Sequence, residues 1–195
     1  MLSPLSSHNS NIAPLHQKSS PNLTWWLRIA LMVSLLSVSS WIAIPLPFSP
    51  VPLTLQTVIV LMIPFVLDTP GAITAVFIYL LMGALGLPVF AKLQSGVHYM
   101  VGPTGGYLVG FFFAMPVMGF FAKKNTSLSI LIGLFTIYAF GMTYLHFWVG
   151  QTVSQTILQG FVVFFPLDVF KAIWVRWLIS KYRKVLSMEN NLNKE

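Results

Sequence analysis

The sequence predicts an all-α integral membrane protein, folded as a compact bundle of six transmembrane helices. Three observations carry that expectation. Of 195 residues, 56% are hydrophobic and 8% charged, with a mean hydropathy of +0.79, whereas a soluble domain carries about 25% charged residues. The apolar residues run in long stretches broken by clusters of Pro, Gly, Asn and Lys, the pattern of helices that cross lipid. The cations sit at the ends of those stretches, where they orient a chain in a membrane. The length suits one bundle with no second catalytic domain. The net charge of +7 therefore reads as topology. It forms no basic stripe, so the expected partner is the lipid bilayer and not nucleic acid.

Each element has its reason in the residues. Residues 1–24, rich in Ser, Pro and Asn and without a signal-peptide core, read as a disordered cytoplasmic tail. Residues 25–184 then form the membrane domain and 185–195 a polar C-terminal tail. A first helix over 25–44 places Trp25 and Trp26 at one interface and Trp41 near the other. Pro45, Pro47, Pro50 and Pro52 end it, because proline removes amide donors. A second apolar segment, 53–67, reaches only ~22 Å at 1.5 Å per residue and is expected to be short, tilted or shielded. After the Asp68-Thr69-Pro70-Gly71 turn a third helix runs to about residue 90, and a loop over 91–104 leads to a fourth helix over 105–122. Lys123-Lys124-Asn125-Thr126 breaks the chain before a fifth helix over 128–149.

The last span has two readings. Residues 157–180 can form one helix, or Pro166 can stand in the first turn of a helix reaching about Lys181. The second is preferred, since proline there wastes no hydrogen bond and Asp168 complements the positive helix end. Residues 151–165 would then form a capping segment at the membrane surface. Six helices put both termini on one side. Arg28, Lys123, Lys124, Arg176, Lys181, Arg183 and Lys184 lie on or near that side, and the opposite loops hold only Lys92. The positive-inside rule makes both termini cytoplasmic in a multi-pass membrane protein.

The most informative run is Pro166-Leu167-Asp168-Val169-Phe170-Lys171, an acid and a base three residues apart in apolar sequence. A single Asp or Lys near the middle of a membrane helix costs roughly 2.5 to 3.5 kcal/mol, so an ionisable pair there marks a functional site. At this spacing both side chains share one helix face. They neutralise each other at rest and can both grip a small polar ligand; the alternative is a structural ion pair that pins the helix. Other chemistry finds little material. Cysteine is absent, and His8, His16, His98 and His146 lack metal-ligand spacing, so no metal is expected. Without a phosphate-binding loop, a thiol or a clustered base, the chain does not read as an enzyme.

Four motifs carry a resemblance. Pro50-Val51-Pro52-Leu53-Thr54-Leu55-Gln56-Thr57, Gly86-Leu87-Pro88-Val89-Phe90-Ala91, Gly102-Pro103-Thr104-Gly105-Gly106-Tyr107-Leu108 and Pro166-Leu167-Asp168 with Lys171-Ala172 resemble the BioY family, in this order and spacing over about residues 25–180. Those proteins are the biotin-binding S components of energy-coupling factor (ECF) transporters. The resemblance implies six helices, an outward-facing biotin site, biotin as transported ligand with no cofactor, and a partner module of a transmembrane coupling protein and two ATPases. Where family members tend to be glycine-rich, this chain has Lys92, Leu93, Gln94, Ser95, Gly96, Val97 and His98.

Biotin's chemistry fits the pair. Its ureido ring offers two N–H donors and a carbonyl acceptor, and its tail a carboxylate; Asp168 can accept from an N–H while Lys171 donates. Gln94 or Ser95 can supply loop contacts, or be ordinary loop residues. Tyr107 can cover the bicyclic ring or belong to the interface belt. Gln56 can cap the site or bond a neighbouring helix, and the second is preferred. Ala30, Ser34 and Ser37, at i, i+4 and i+7 of the first helix, offer a close-approach face for partner docking or for packing within the bundle. Val38 and Trp41 end that stripe. A self-sufficient secondary or facilitated transporter of biotin or a related small molecule, with Asp168 carrying a proton, is the second reading.

Overall fold

The protein was analysed as a computed structural model that describes residues 21–192; residues 1–20, with His8, His16 and most of the expected N-terminal tail, and residues 193–195 lie outside it. The described chain is mostly helical (78%). Four segments are long and apolar enough to cross a membrane: Leu23–Trp41, Gly105–Ala122, Thr126–Val149 and Val153–Val185. Two apolar helices, Gln56–Val66 and Thr69–Ala84, are shorter.

Helix α1 spans Pro21–Trp41 and buries Ile29, Val33 and Leu36. The proline-rich segment after it corrects the all-α expectation. It forms a two-stranded antiparallel hairpin, β1 (Ala43–Leu46) and β2 (Ser49–Thr54), with Ala43 opposite Thr54 and Ile44 opposite Leu53. Prolines rule out helix here, but a two-stranded hairpin leaves each strand an unpaired edge where a missing N–H costs nothing. The hairpin is tied down by the Ser49 hydroxyl, which donates to the Gln159 carbonyl at 2.9 Å.

Helix α2 covers Gln56–Val66 and is shorter than the apolar run, since the hairpin takes its first residues. Helix α3 covers Thr69–Ala84, with Asp68 as N-cap accepting from the Gly71 amide at 3.2 Å. It stops short of the expected residue 90 because Gly86 adopts φ +99° and Pro88 follows. The chain then folds back, and the Phe90 ring packs where a Gly83 side chain would stand. The 91–104 loop holds a 3-10 turn (Ala91–Leu93) and a single helical turn, α4 (Val97–Met100).

Helices α5 (Gly105–Ala122) and α6 (Thr126–Val149) form the tightest pair. A Cβ added to Gly110 would lie 3.0 Å from the Ile137 Cα, and one on Gly106 2.6 Å from the Phe140 carbonyl, so only glycine permits this approach. Gly150, at φ +68°, closes α6. The segment read as a cap comprises α7 (Val153–Ile157) and a π-helical turn (Leu158–Val162); α8 then runs from Phe165 to Leu192, putting Pro166 in its first turn and carrying helix through residues 185–192.

Candidate functional site

The hairpin, α2, the 91–104 loop, α5, α6 and α8 meet around one pocket. Asp168 and Lys171 project from the first turns of α8 and are 6% and 8% exposed, an unusual burial for two charges. Lys171 Nζ lies 2.7 Å from Asp168 Oδ1 and donates at 2.8 Å to the Thr54 carbonyl, where the hairpin ends. The other carboxylate oxygen, Oδ2, accepts from the Tyr138 hydroxyl of α6 at 2.5 Å. The pair is thus anchored from two sides, by the hairpin and by α6. An ammonium has three donors and a carboxylate about four lone-pair sites. One donor and two acceptor sites therefore stay unspent.

These groups stand on the wall of a narrow, partly open pocket, with ≈ 60 Å³ of space for the centre of a water-sized sphere. Val51 and Leu53 of the hairpin, Leu108 and Phe111 of α5, Ile137 of α6 and Phe164 supply the apolar wall. Tyr99 and Thr104 bring the 91–104 loop to the mouth. Tyr99 stacks on Phe90 with ring centroids 5.1 Å apart, and burial pushes its phenol above the usual value, so it stays a protonated donor. Thr104 Oγ1 is buried near the Tyr99 phenol but makes no hydrogen bond of ordinary geometry in the protein, a group that a ligand could satisfy.

Tyr107 is held in place by two glycines. Its ring lies where a Gly141 side chain would be, and its hydroxyl donates to the Gly160 carbonyl at 2.9 Å, inside the π-helical turn. It meets Tyr138 edge-on at 6.5 Å. π-helical turns free backbone groups and recur at functional sites; here the freed carbonyl positions a pocket wall.

The sequence-derived residues separate into those the fold gathers and those it does not. Asp168, Lys171, Tyr107 and Gln56 all line the pocket. Gln56 also bonds a neighbouring helix: its amide donates to the Tyr79 hydroxyl at 2.8 Å, which donates to the Val89 carbonyl at 3.0 Å. That chain fixes the start of the 91–104 loop against α2 and α3. Gln94 is exposed, and neither it nor Ser95 lies on the pocket wall; their loop turns away after Lys92 and Leu93, which adopt φ 58° and 60°. The α1 stripe divides. Ala30 and Ser34 are exposed, while Ser37 is buried and donates to the Val33 carbonyl at 2.9 Å. Sequence reasoning missed Tyr138, Tyr99 and the Thr54 carbonyl. Tyr138 stands three residues before Gly141, and a tyrosine beside a helix-packing glycine is the one signal that pointed to it.

Comparison with known proteins shows the family and the fold. The chain matches the BioY family over residues 13–188. It is 40% identical over 168 residues to the biotin transporter BioY of Thermotoga maritima, covering 84% of this chain and 97% of that one. It is 37% identical to a probable biotin transporter BioY of Pyrococcus horikoshii, over 74% of this chain and 86% of the other. Among solved structures it is similar to the S component for biotin from an ECF-type ABC transporter, with a TM-score of 0.78, 25% identity, and 84% and 92% of the two chains covered. A second S component of a bacterial ECF transporter, 15% identical with a TM-score of 0.53 over 89% of this chain and 99% of that one, shares the fold.

Proposed function

The chain belongs to the BioY family, and from that premise we propose that it is a membrane-embedded substrate-binding component that captures biotin from the external side and delivers it to the cytoplasm. The observation that carries the reading is the ion pair at the pocket wall, with one donor and two acceptor sites unspent. A ureido group presents two N–H donors and one carbonyl acceptor. The donors match the open lone pairs of Asp168, and the carbonyl matches the open Lys171 N–H. Apolar side chains around the pair suit the thiophane ring and the alkyl chain, and Tyr107 covers the bicycle. Thr104 Oγ1 supplies a further polar contact.

The charges stay inside the protein at rest because each neutralises the other; one partner removed from such a buried pair costs on the order of 3 to 5 kcal/mol. Ligand N–H groups then join charge-assisted bonds in a poorly hydrated site, where such bonds are strong. Neither charge has to be created on binding. Asp168, Lys171, Tyr107 and Gln56 are the proposed binding residues, with Tyr138 positioning the carboxylate.

The six crossings of this proposal are α1, α2, α3, α5, α6 and α8. Helix α2, at 11 residues, rises only ~16 Å, and the hairpin in front of it fills the remaining depth. Both termini then face the cytoplasm at the inner membrane, in keeping with the cations at the C-terminal end of α5 and along α8. Capture needs no energy source, whereas delivery against a gradient does. The proposed partners are a transmembrane coupling protein and two ATPases, with the exposed Ala30 and Ser34 on α1 as a docking face. Uptake in vesicles tests this directly: the chain alone should bind biotin without accumulating it, and accumulation without an ATPase would favour a self-sufficient transporter.

A further inference from the structure

A second, larger cleft opens on the flank of the bundle between α6 and α8, with a volume of ≈ 600 Å³. Its walls are apolar, Leu131, Phe135 and Met142 on one side and Val169, Ala172 and Ile173 on the other. Ser127 and Arg176 mark one end and Tyr138 with Phe161 the other. Leu131, Phe135 and Ile173 are 62%, 75% and 64% exposed, so this face is open to whatever surrounds the bundle.

Arg176 decides what that is. It is exposed, carries no ion pair among the described residues, and stands five residues beyond Lys171, about 8 Å further along α8. Arg183, two turns on, reaches the Ala122 carbonyl at the end of α5. Arg176 therefore lies about two turns inside that end of the bundle. A guanidinium at that depth is costly unless an anion meets it or its stem lets it snorkel to the headgroups. Planar guanidinium suits phosphate in a bidentate grip. An apolar slot leading away from a phosphate-seeking cation has the outline of a phospholipid, headgroup at Arg176 and acyl chain along α6 and α8.

We propose that this cleft is a seat for one anionic phospholipid of the leaflet facing the chain termini. Arg176 grips its phosphate and Ser127 lies beside it, while the acyl chain fills the slot as far as Tyr138. The site abuts the substrate pocket, because Tyr138 lines both and bonds Asp168. An acyl chain in the cleft backs the tyrosine ring and keeps its hydroxyl on the carboxylate.

The test is native mass spectrometry of the full chain, delipidated and titrated with phosphatidylglycerol or phosphatidylcholine of the same acyl length. We expect one tightly held phosphatidylglycerol per chain, bound at least ~10-fold better than phosphatidylcholine. Arg176→Gln should cut phosphatidylglycerol binding about 10-fold, and Arg176→Lys should restore part of it. Ala172→Phe, which fills the slot, should weaken both lipids. An unchanged melting temperature of delipidated Arg176→Gln shows that the fold is intact; if that variant unfolds, Arg176→Lys and Ala172→Phe carry the comparison. Equal binding of the two lipids, or phosphatidylglycerol binding indifferent to all three substitutions, overturns the proposal. So does a stable dimer crosslinked through cysteines at Leu131 and Ile173, which would make the face an interface between copies.

Discussion

Replacing Asp168 with Asn tests the ion pair most severely. The side chain keeps its size and one acceptor, so the volume it fills is unchanged, but the charge is gone. In the native protein the carboxylate holds Lys171 at 2.7 Å and the Tyr138 hydroxyl at 2.5 Å. The variant leaves a buried ammonium without a counter-charge, held by the Thr54 carbonyl and a neutral amide oxygen, and it offers a ligand N–H a neutral acceptor. A hydrogen bond to a charged group is worth ~1.5 to 3 kcal/mol, so biotin affinity should fall ~10- to 150-fold. Lys171→Met should do similar damage from the other end. Titration calorimetry with biotin gives the affinities, and thermal unfolding without ligand gives the stabilities. Both single variants should also lose stability, because each leaves its partner buried and unpaired. The double variant, Asp168→Asn with Lys171→Met, decides between binding and scaffold. It should recover stability while staying deficient in biotin binding. Recovery of near-native affinity in the double variant would refute the reasoning and make the pair a structural pin.

Further predictions follow from neighbouring contacts. Tyr138→Phe removes the hydroxyl from the carboxylate and should weaken biotin binding by ~1.5 to 3 kcal/mol without changing the stoichiometry, which calorimetry would show. Gly141→Val should displace the Tyr107 ring and lower affinity at least ~10-fold, whereas Tyr107→Phe, which loses only the bond to Gly160, should cost ~0.5 to 1.5 kcal/mol in thermal stability. For topology, a cysteine at Gln94 should react with an impermeant maleimide added outside intact cells, and one at Asn125 should not; the reverse pattern would invert the proposed orientation.

Legibility in the sequence followed physical distinctiveness. Asp168 and Lys171 stood out because charge in apolar sequence is expensive, and their shared helix face followed from spacing alone. Helix α5 could be delimited because Gly105 and the Lys123-Lys124 pair bracket it. The hairpin was hidden, since four prolines argue against helix without saying what replaces it. Phe90 was placed in the third helix by its hydropathy, although the positive φ of Gly86 turns the chain back beforehand. Tyr138 was hidden for another reason. A phenol in a membrane helix has many uses, and only the crossing of α6 and α8 brings it to the carboxylate. The Thr54 carbonyl had no signal at all, because any residue carries one. Gln94 and Ser95 were drawn in by their polarity and their place in the loop, but left-handed Lys92 and Leu93 direct that stretch away from the pocket.

The central claim is that this pocket holds biotin, and equilibrium titration of the purified full chain tests it most directly. Calorimetry, with Trp174 and Trp177 on the helix of the ion pair as a parallel fluorescence report, should give saturable binding of one biotin per chain, lost or strongly weakened in Asp168→Asn. Absence of saturable binding by folded protein, or binding that ignores that substitution, would contradict it.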